Sequence, residues 1–270
     1  MKGEPGGEGR RNMVQIIGHR GARALEPENT LRAIARGLEC TGWVEVDVRL
    51  SREGVPVVIH DATLDRTTDG MGPVRETSLA DLRRRDAGQG ERIPLLAEVL
   101  ERVGHRGGVV VEAKEVEAVP AIAALLGAYG TGNILFVSFH AGALPAARAL
   151  LPGLATGLIV SPPVGDPVEM ASRAGAGTVL PRQDLLTESL VGRAHRESLR
   201  VVTWTVNSGA EVRRAVTRGV DGLATDDPCA ARGWAARAGI SRDGPGMRET
   251  TSPEEDRREG AAAPSRLLPR

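Results

Sequence analysis

Aromatic side chains are scarce: three Trp, two Phe and one Tyr make up 2% of the 270 residues. So few rings leave little platform for stacking along a nucleic acid or a sugar chain, and a core must be built from Val, Leu, Ile and Ala. Net charge of one sign is also missing. Thirty-five basic residues balance 35 acidic ones, so nothing supplies the bulk attraction that nucleic-acid binding uses. Cysteine is limited to Cys40 and Cys229, far apart and in no Cys-x-x-Cys. Neither a disulfide framework nor a zinc site is expected, and both read as small buried apolar residues. No apolar run approaches the ~18 residues of a membrane span, and the opening MKGEPGGEGRRN has no apolar segment of the kind a secretion signal uses. A cytoplasmic protein without stable membrane insertion or a nucleic-acid partner is the expectation.

What is present is alternation. Short β-branched runs near 14–18, 43–49, 108–113, 133–138, 154–160, 177–181, 200–206 and 220–225 are separated by Ala/Leu/Arg stretches of helical period. The connection at 165–175 carries the faintest helical signal. Eight strands each followed by a helix is the count of an α/β fold of the TIM (β/α)8 barrel type, and no GxGxxG follows a strand, as a dinucleotide-binding sheet would have. One connection breaks the rhythm. After the second strand, Glu53-Gly54 reads as a turn, VPVVIH as a short returning strand, and about 61–92 as an insertion before LLAEVLERVG resumes the helical pattern. It falls on the barrel face where active sites lie, as a small cap. The expected barrel spans 13–238. The flanks 1–12 and 239–270 are rich in Gly, Pro and charge and read as disordered tails.

The densest chemistry lies between residues 18 and 61: GHRGA, PENT, Glu45-x-Asp47 in WVEVDVRL, and His60-Asp61. Residues i and i+2 of a strand share a face, so Val44, Val46 and Val48 point one way while Glu45 and Asp47 share the other. Two carboxylates side by side in a buried strand are costly unless a cation or protons neutralise them. Catalytic groups of a parallel barrel sit at the C-terminal ends of its strands. His19 and Arg20 end strand one, His60 ends the returning arm, Glu112 and Lys114 end the strand in VVVEAK, and Trp204 lies late in TWTVN. All converge on one mouth. A second His-Arg-Gly at 105–107 precedes a strand and falls at the opposite end, so His105 and Arg106 read as loop residues.

Glu45, Asp47 and Glu112 form an all-oxygen set suited to Mg²⁺ or Ca²⁺ rather than zinc; the plainer reading pairs them with Arg20, Arg49 and Lys114. Beside a cation, Arg20 and Lys114 would stabilise phosphoryl oxygens, while His19 and His60 would take a proton from a nucleophile and give one to a leaving alkoxide. Asp61 reads as an imidazole orienter or a turn cap. PENT reads as structural, with Asn29 or Thr30 capping the first helix. His140 reads as a peripheral loop residue at the mouth and His195 as surface. In Asp226-Asp227-Pro228, a carboxylate capping the last helix is the first expectation.

The ordered run GHRGA, PENT, EVDVRLSREGVPVVIHDATLDRTTDG, IPLLAEVL, VEAK, VSF, WTVN and DGLATDDP, over about residues 14–230, resembles the glycerophosphodiester phosphodiesterase family. The resemblance implies a TIM barrel with an insertion after its second strand and hydrolysis of glycerophosphodiesters, small deacylated phospholipids, to glycerol 3-phosphate and an alcohol. It implies His19 and His60 as the acid/base pair, and Glu45, Asp47 and Glu112 as ligands of Mg²⁺ or Ca²⁺. Arg20 and Lys114 would contact the phosphate, and Trp204 would form a substrate wall. The alternatives are a related barrel acting on lysophospholipids, against which the missing amphipathic anchor weighs, and a non-catalytic phosphoester-binding barrel, which would need no second histidine.

Overall fold

The computed structural model describes residues 14–105, 107–162 and 165–237. The expected tails at 1–12 and 239–270, and Arg106 of the second His-Arg-Gly, lie outside the described residues. Strands β1 (Gln15–Gly18), β2 (Trp43–Leu50), β4 (Gly108–Ala113), β5 (Ile134–Ser138), β6 (Ala155–Val160), β7 (Thr178–Pro181), β8 (Arg200–Thr203) and β9 (Gly222–Thr225) pair in parallel order. The β1–β2 pairing, Gly18 opposite Val44, closes them into the expected (β/α)8 barrel. The returning arm is β3 (Pro56–Val58), antiparallel to β2 with Val48 opposite Val58. Helices α1 (Leu31–Thr41), α3 (Leu96–Val103), α4 (Val119–Tyr129), α5 (Ala143–Leu150), α6 (Pro167–Arg173), α7 (Glu188–Arg196), α8 (Gly209–Thr217) and α9 (Pro228–Arg237) fill the connections, and the short α2 (Leu79–Leu82) lies in the insertion. The faint signal at 165–175 is the helix α6. Its start is set by Asp166, whose side chain accepts from Val168 N and Glu169 N, with Pro167 in the first turn.

The two-residue period of the strands sorts side chains into two cores. Val44, Val46 and Val48 of β2 join Ile34, Val99 and Ile122 between barrel and helices. Trp43 joins Ile17, Val110, Leu135, Leu180 and Val202 inside the barrel. One indole therefore does much of the filling that a ring-poor sequence cannot spread over several aromatics. It lies against Gly108, its cross-strand partner, where an added β-carbon would overlap the ring. Since Trp43 faces inward, so do Glu45 and Asp47.

The insertion has a small core of its own, Val57, Ile59, Leu64, Val74, Leu82 and Ile93, and Arg83 fastens it to α3 through two bonds to Glu98 (2.7 and 2.6 Å). The reading of the cysteines needs correction. Cys40 in the last turn of α1 and Cys229 in the first turn of α9 form a disulfide joining the first and last helices. Their spacing carries no signal because barrel closure, not local sequence, brings α1 and α9 together. No described helix is long and apolar enough to cross a membrane.

Candidate active site

The turn after β1 builds one edge of the site. Arg20 (φ 51°) and Gly21 (φ 85°) are both left-handed, and a β-carbon at Gly21 would overlap the backbone of α1. This turn aims two backbone donors at one residue: Arg20 N–H reaches Glu45 Oε2 (2.9 Å) and Gly21 N–H reaches the Glu45 carbonyl (3.1 Å). A non-glycine residue held at positive φ is backbone strain of the kind found at functional sites.

Beside it, His19 Nδ1–H donates to Asp226 Oδ1 at 2.7 Å. Asp226, at the end of β9, is itself held by Asn207 Nδ2–H (2.8 Å). A carboxylate only accepts, so His19 Nδ1 carries a proton and Nε2 is the nitrogen turned toward the carboxylate cluster. That Nε2 lies 3.9 Å from Glu45 Oε2. Across the mouth His60 repeats the device, with Nδ1–H donating to Asp61 Oδ1 at 2.6 Å. The His60 carbonyl accepts from Arg49 Nε–H at 2.8 Å, so Arg49 supports the loop rather than neutralising a carboxylate. Burial pulls the His60 imidazole below its ordinary range, with Lys114 and Arg20 adding to the effect against Asp47 and Asp61. Asp61 lies well below the usual carboxylate range, chiefly because Arg66 donates to it.

Glu45, Asp47 and Glu112 are buried, and one oxygen from each lies within 4.8 Å of the others. The parallel register sets Asp47 directly opposite Glu112. Two cations share the cluster: Lys114 Nζ is 2.6 Å from Glu112 Oε1 and 3.3 Å from Asp47 Oδ1, and Arg20 Nε is 3.2 Å from Asp47 Oδ2. The charges are unequally satisfied. Burial opposes ionisation of Asp47, yet Lys114, Arg20, His60 and the Asn29 amide together hold it at about 2. Burial and the Asp47 charge push Glu112 up to about 7 despite Lys114. Burial, then Asp47 and Glu112, push Glu45 well above the carboxylate range, and its Oε1 is buried with no hydrogen-bond partner among the described residues. Clustered hard oxygens, one orphaned and two reluctant to ionise without more positive charge, fit a divalent cation.

Trp204 completes the wall. Its Nε1–H donates to the Leu180 carbonyl (2.8 Å), and Phe139 packs on it edge-to-face at 5.7 Å between ring centres. Phe139 and Trp204 line, together with His19 and His60, a cavity of about 150 Å³ that also touches apolar barrel residues such as Ile159 and Val202.

All eight residues singled out from the sequence meet here: seven line the cavity and Asp47 joins it through the carboxylate cluster. His105 lies exposed before β4, His140 is exposed at the rim and His195 pairs with Asp221 (3.0 Å) on the surface. Three features were underread. Asp226 holds His19, and it is Asp227 that caps α9, accepting from Ala230 N–H at 2.8 Å. PENT divides its work: Thr30 caps α1, accepting from Ala33 N–H (3.2 Å), while Asn29 Nδ2–H donates to Asp47 Oδ2 (2.9 Å). Glu28 accepts from Arg20 (2.7 Å). Phe139 carried no signal beyond its place after a strand.

A phosphodiesterase of Oleispira antarctica, solved with the product sn-glycerol-3-phosphate, superposes with a TM-score of 0.78 at 31% identity, over 83% of this chain and 97% of that one. A glycerophosphodiester phosphodiesterase of Agrobacterium tumefaciens superposes at 0.74 with 28% identity, over 82% and 100%. The glycerophosphodiester phosphodiesterase of Caldanaerobacter subterraneus is 34% identical over 228 residues, 79% of this chain and 94% of its own length. The sequence model of the glycerophosphoryl diester phosphodiesterase family matches residues 19–230, from the first catalytic candidate, His19, into the helix that Asp227 caps. With that match running from the end of β1 into α9, the chain belongs to the glycerophosphoryl diester phosphodiesterase family.

Proposed function

We propose that the protein hydrolyses glycerophosphodiesters to glycerol 3-phosphate and an alcohol, with a divalent cation, Mg²⁺ or Ca²⁺, held by Glu45, Asp47 and Glu112. The observation that carries the reading is the pairing of two carboxylate-held imidazoles, His19–Asp226 and His60–Asp61, at a cavity beside that carboxylate cluster. When bound, the cation supplies Lewis-acid stabilisation of charge on the phosphoryl oxygens.

The chain's own residues do the rest. Arg20 and Lys114 reach the same cluster and give the phosphodiester fixed positive charge in a water-poor site, where it stabilises developing negative charge most strongly. With both Nδ1 protons held by carboxylates, both Nε2 atoms are available for proton transfer. One imidazole, neutral at Nε2, takes the proton from the attacking O–H, and the other, carrying a proton on Nε2 as well as on Nδ1, delivers it to the departing alkoxide oxygen. Trp204 and Phe139 form an apolar wall that positions the organic part of the ester and excludes water. The solved relative's complex with sn-glycerol-3-phosphate supports this product class.

The test is turnover of glycerophosphodiesters before and after chelation, with Mg²⁺ or Ca²⁺ added back. Loss on chelation and recovery with either ion is expected, and hydrolysis indifferent to chelation contradicts the role given to the carboxylates.

A further inference from the structure

Arg66 belongs to the insertion, outside the barrel and outside the residues lining the cavity. Its backbone is fixed by the turn around it: Leu64 is fully buried in the insertion's core, and both the backbone N–H (3.1 Å) and the Oγ1–H (2.8 Å) of Thr68 donate to the Leu64 carbonyl. The guanidinium reaches back to two carboxylates. Nε–H and Nη2–H donate to Asp61 Oδ2 (2.6 Å) and Oδ1 (3.0 Å), while Nη1–H and Nη2–H donate to Glu28 Oε2 (3.0 Å) and Oε1 (2.8 Å). Four of its five N–H groups are engaged by two planar acceptors, a geometry that an ammonium could not reproduce.

Each acceptor serves the site. Asp61 Oδ1 accepts from His60 Nδ1–H, and Glu28 Oε1 accepts from Arg20 Nη1–H (2.7 Å), whose Nε faces Asp47. Asp47, Arg20, Glu28, Arg66 and Asp61 thus form a chain of alternating charge from the carboxylate cluster to His60. Side chains of adjacent residues ordinarily diverge, so nothing local compels Asp61 to face its neighbour's imidazole. We infer that Arg66 is a positioning residue: it locks Asp61 onto His60 Nδ1, fixing the imidazole's tautomer and orientation, and through Glu28 ties the insertion to Arg20. The insertion is therefore part of the proton-transfer apparatus as well as a cover. This rests on the reading of His60 as a proton carrier. The charged groups facing His60 are Asp61, Asp47, Lys114 and Arg20.

The experiment pairs kinetics with a signal that does not depend on turnover. Arg66→Met in the full-length, metal-replete protein is expected to lower kcat about tenfold to a hundredfold, the scale of losses on removing an orienting partner, with KM little changed. Arg66→Lys should not restore kcat, whereas added guanidinium should rescue Arg66→Ala in a saturable way. In ¹⁵N-histidine-labelled protein, with His60→Gln identifying the resonance, His60 is expected as the Nδ1–H tautomer in the wild type and as a mixture in Arg66→Met. A wild-type tautomer in the variant overturns the inference, as does a rise in KM at unchanged kcat, which would make Arg66 a substrate contact. Should Arg66→Met fold poorly, Asp61→Asn serves the same purpose: a kcat loss and tautomer mixing are expected, and wild-type behaviour overturns the inference. Full turnover by His60→Ala instead rejects the proton-carrier reading, while the tautomer signal still reports on Arg66.

Discussion

His19 and Asp226 lie 207 residues apart and meet at 2.7 Å, the first strand's end against the last's. The contact exists only because the barrel closes, and it holds a proton on His19 Nδ1. Its neighbour Asp227 has a separate task, capping α9. The two aspartates should therefore separate cleanly. Asp226→Asn is expected to lower kcat by at least about tenfold with little loss of stability. Asp227→Ala is expected to cost about 1 kcal/mol of stability at unchanged kcat. Steady-state kinetics and denaturant melts of both variants check the pair.

Cation binding should release protons. Glu112 in the folded chain, at about 7, lies above its ordinary value of 4.5, and Glu45 is raised too. A raised carboxylate favours the folded metal-free protein below its unfolded value, and that contribution fades as pH climbs through the folded value. The metal-free protein should thus lose stability between pH 4.5 and about 7 through Glu112. Asp47, lowered to about 2, acts oppositely: its contribution is present above its unfolded value and lost only as pH falls towards 2. Because ligands must be deprotonated, Mg²⁺ or Ca²⁺ affinity should rise over the Glu112 window. Calorimetry at pH 6.5 in buffers of different ionisation enthalpy should show proton release; buffer-independent heats would oppose it.

Asn29 is held at φ 61° with its amide on Asp47, donating at 2.9 Å and accepting from Asp47 N–H at 3.3 Å. Asn29→Ala removes both bonds and places at φ 61° a residue that tolerates the left-handed region less well than asparagine does. Expected are a loss of about 1–3 kcal/mol in stability and cation affinity weaker by about tenfold to a hundredfold, read by thermal melts and cation titration.

The Cys40–Cys229 disulfide spans 189 residues. Closing so long a loop constrains the unfolded chain, and its reduction should cost about 2–5 kcal/mol. Denaturant melts with and without reductant check the magnitude. Two free thiols in the unreduced, unfolded protein would contradict the bond itself.

These cases mark what could be read in advance. The barrel was legible because every strand and helix writes its own period into the chain, and Glu45 and Asp47 were legible because spacing alone puts them on one face. The contacts of Cys40 with Cys229 and of His19 with Asp226 depend on closure, which leaves no local pattern. Asn29 and Thr30 looked equally fit to cap α1; only the left-handed backbone at Asn29 decides that its amide turns to Asp47. Arg66 leaves no local signal, since its two acceptors sit 5 and 38 residues away.

The most direct test is release of sn-glycerol 3-phosphate from glycerophosphocholine by the Mg²⁺- or Ca²⁺-loaded protein, compared with His19→Ala and His60→Ala. Steady turnover by the wild type and its loss in both folded variants is the expected result. Undiminished release by either variant, or none by the wild type on any glycerophosphodiester, would contradict the two-histidine account.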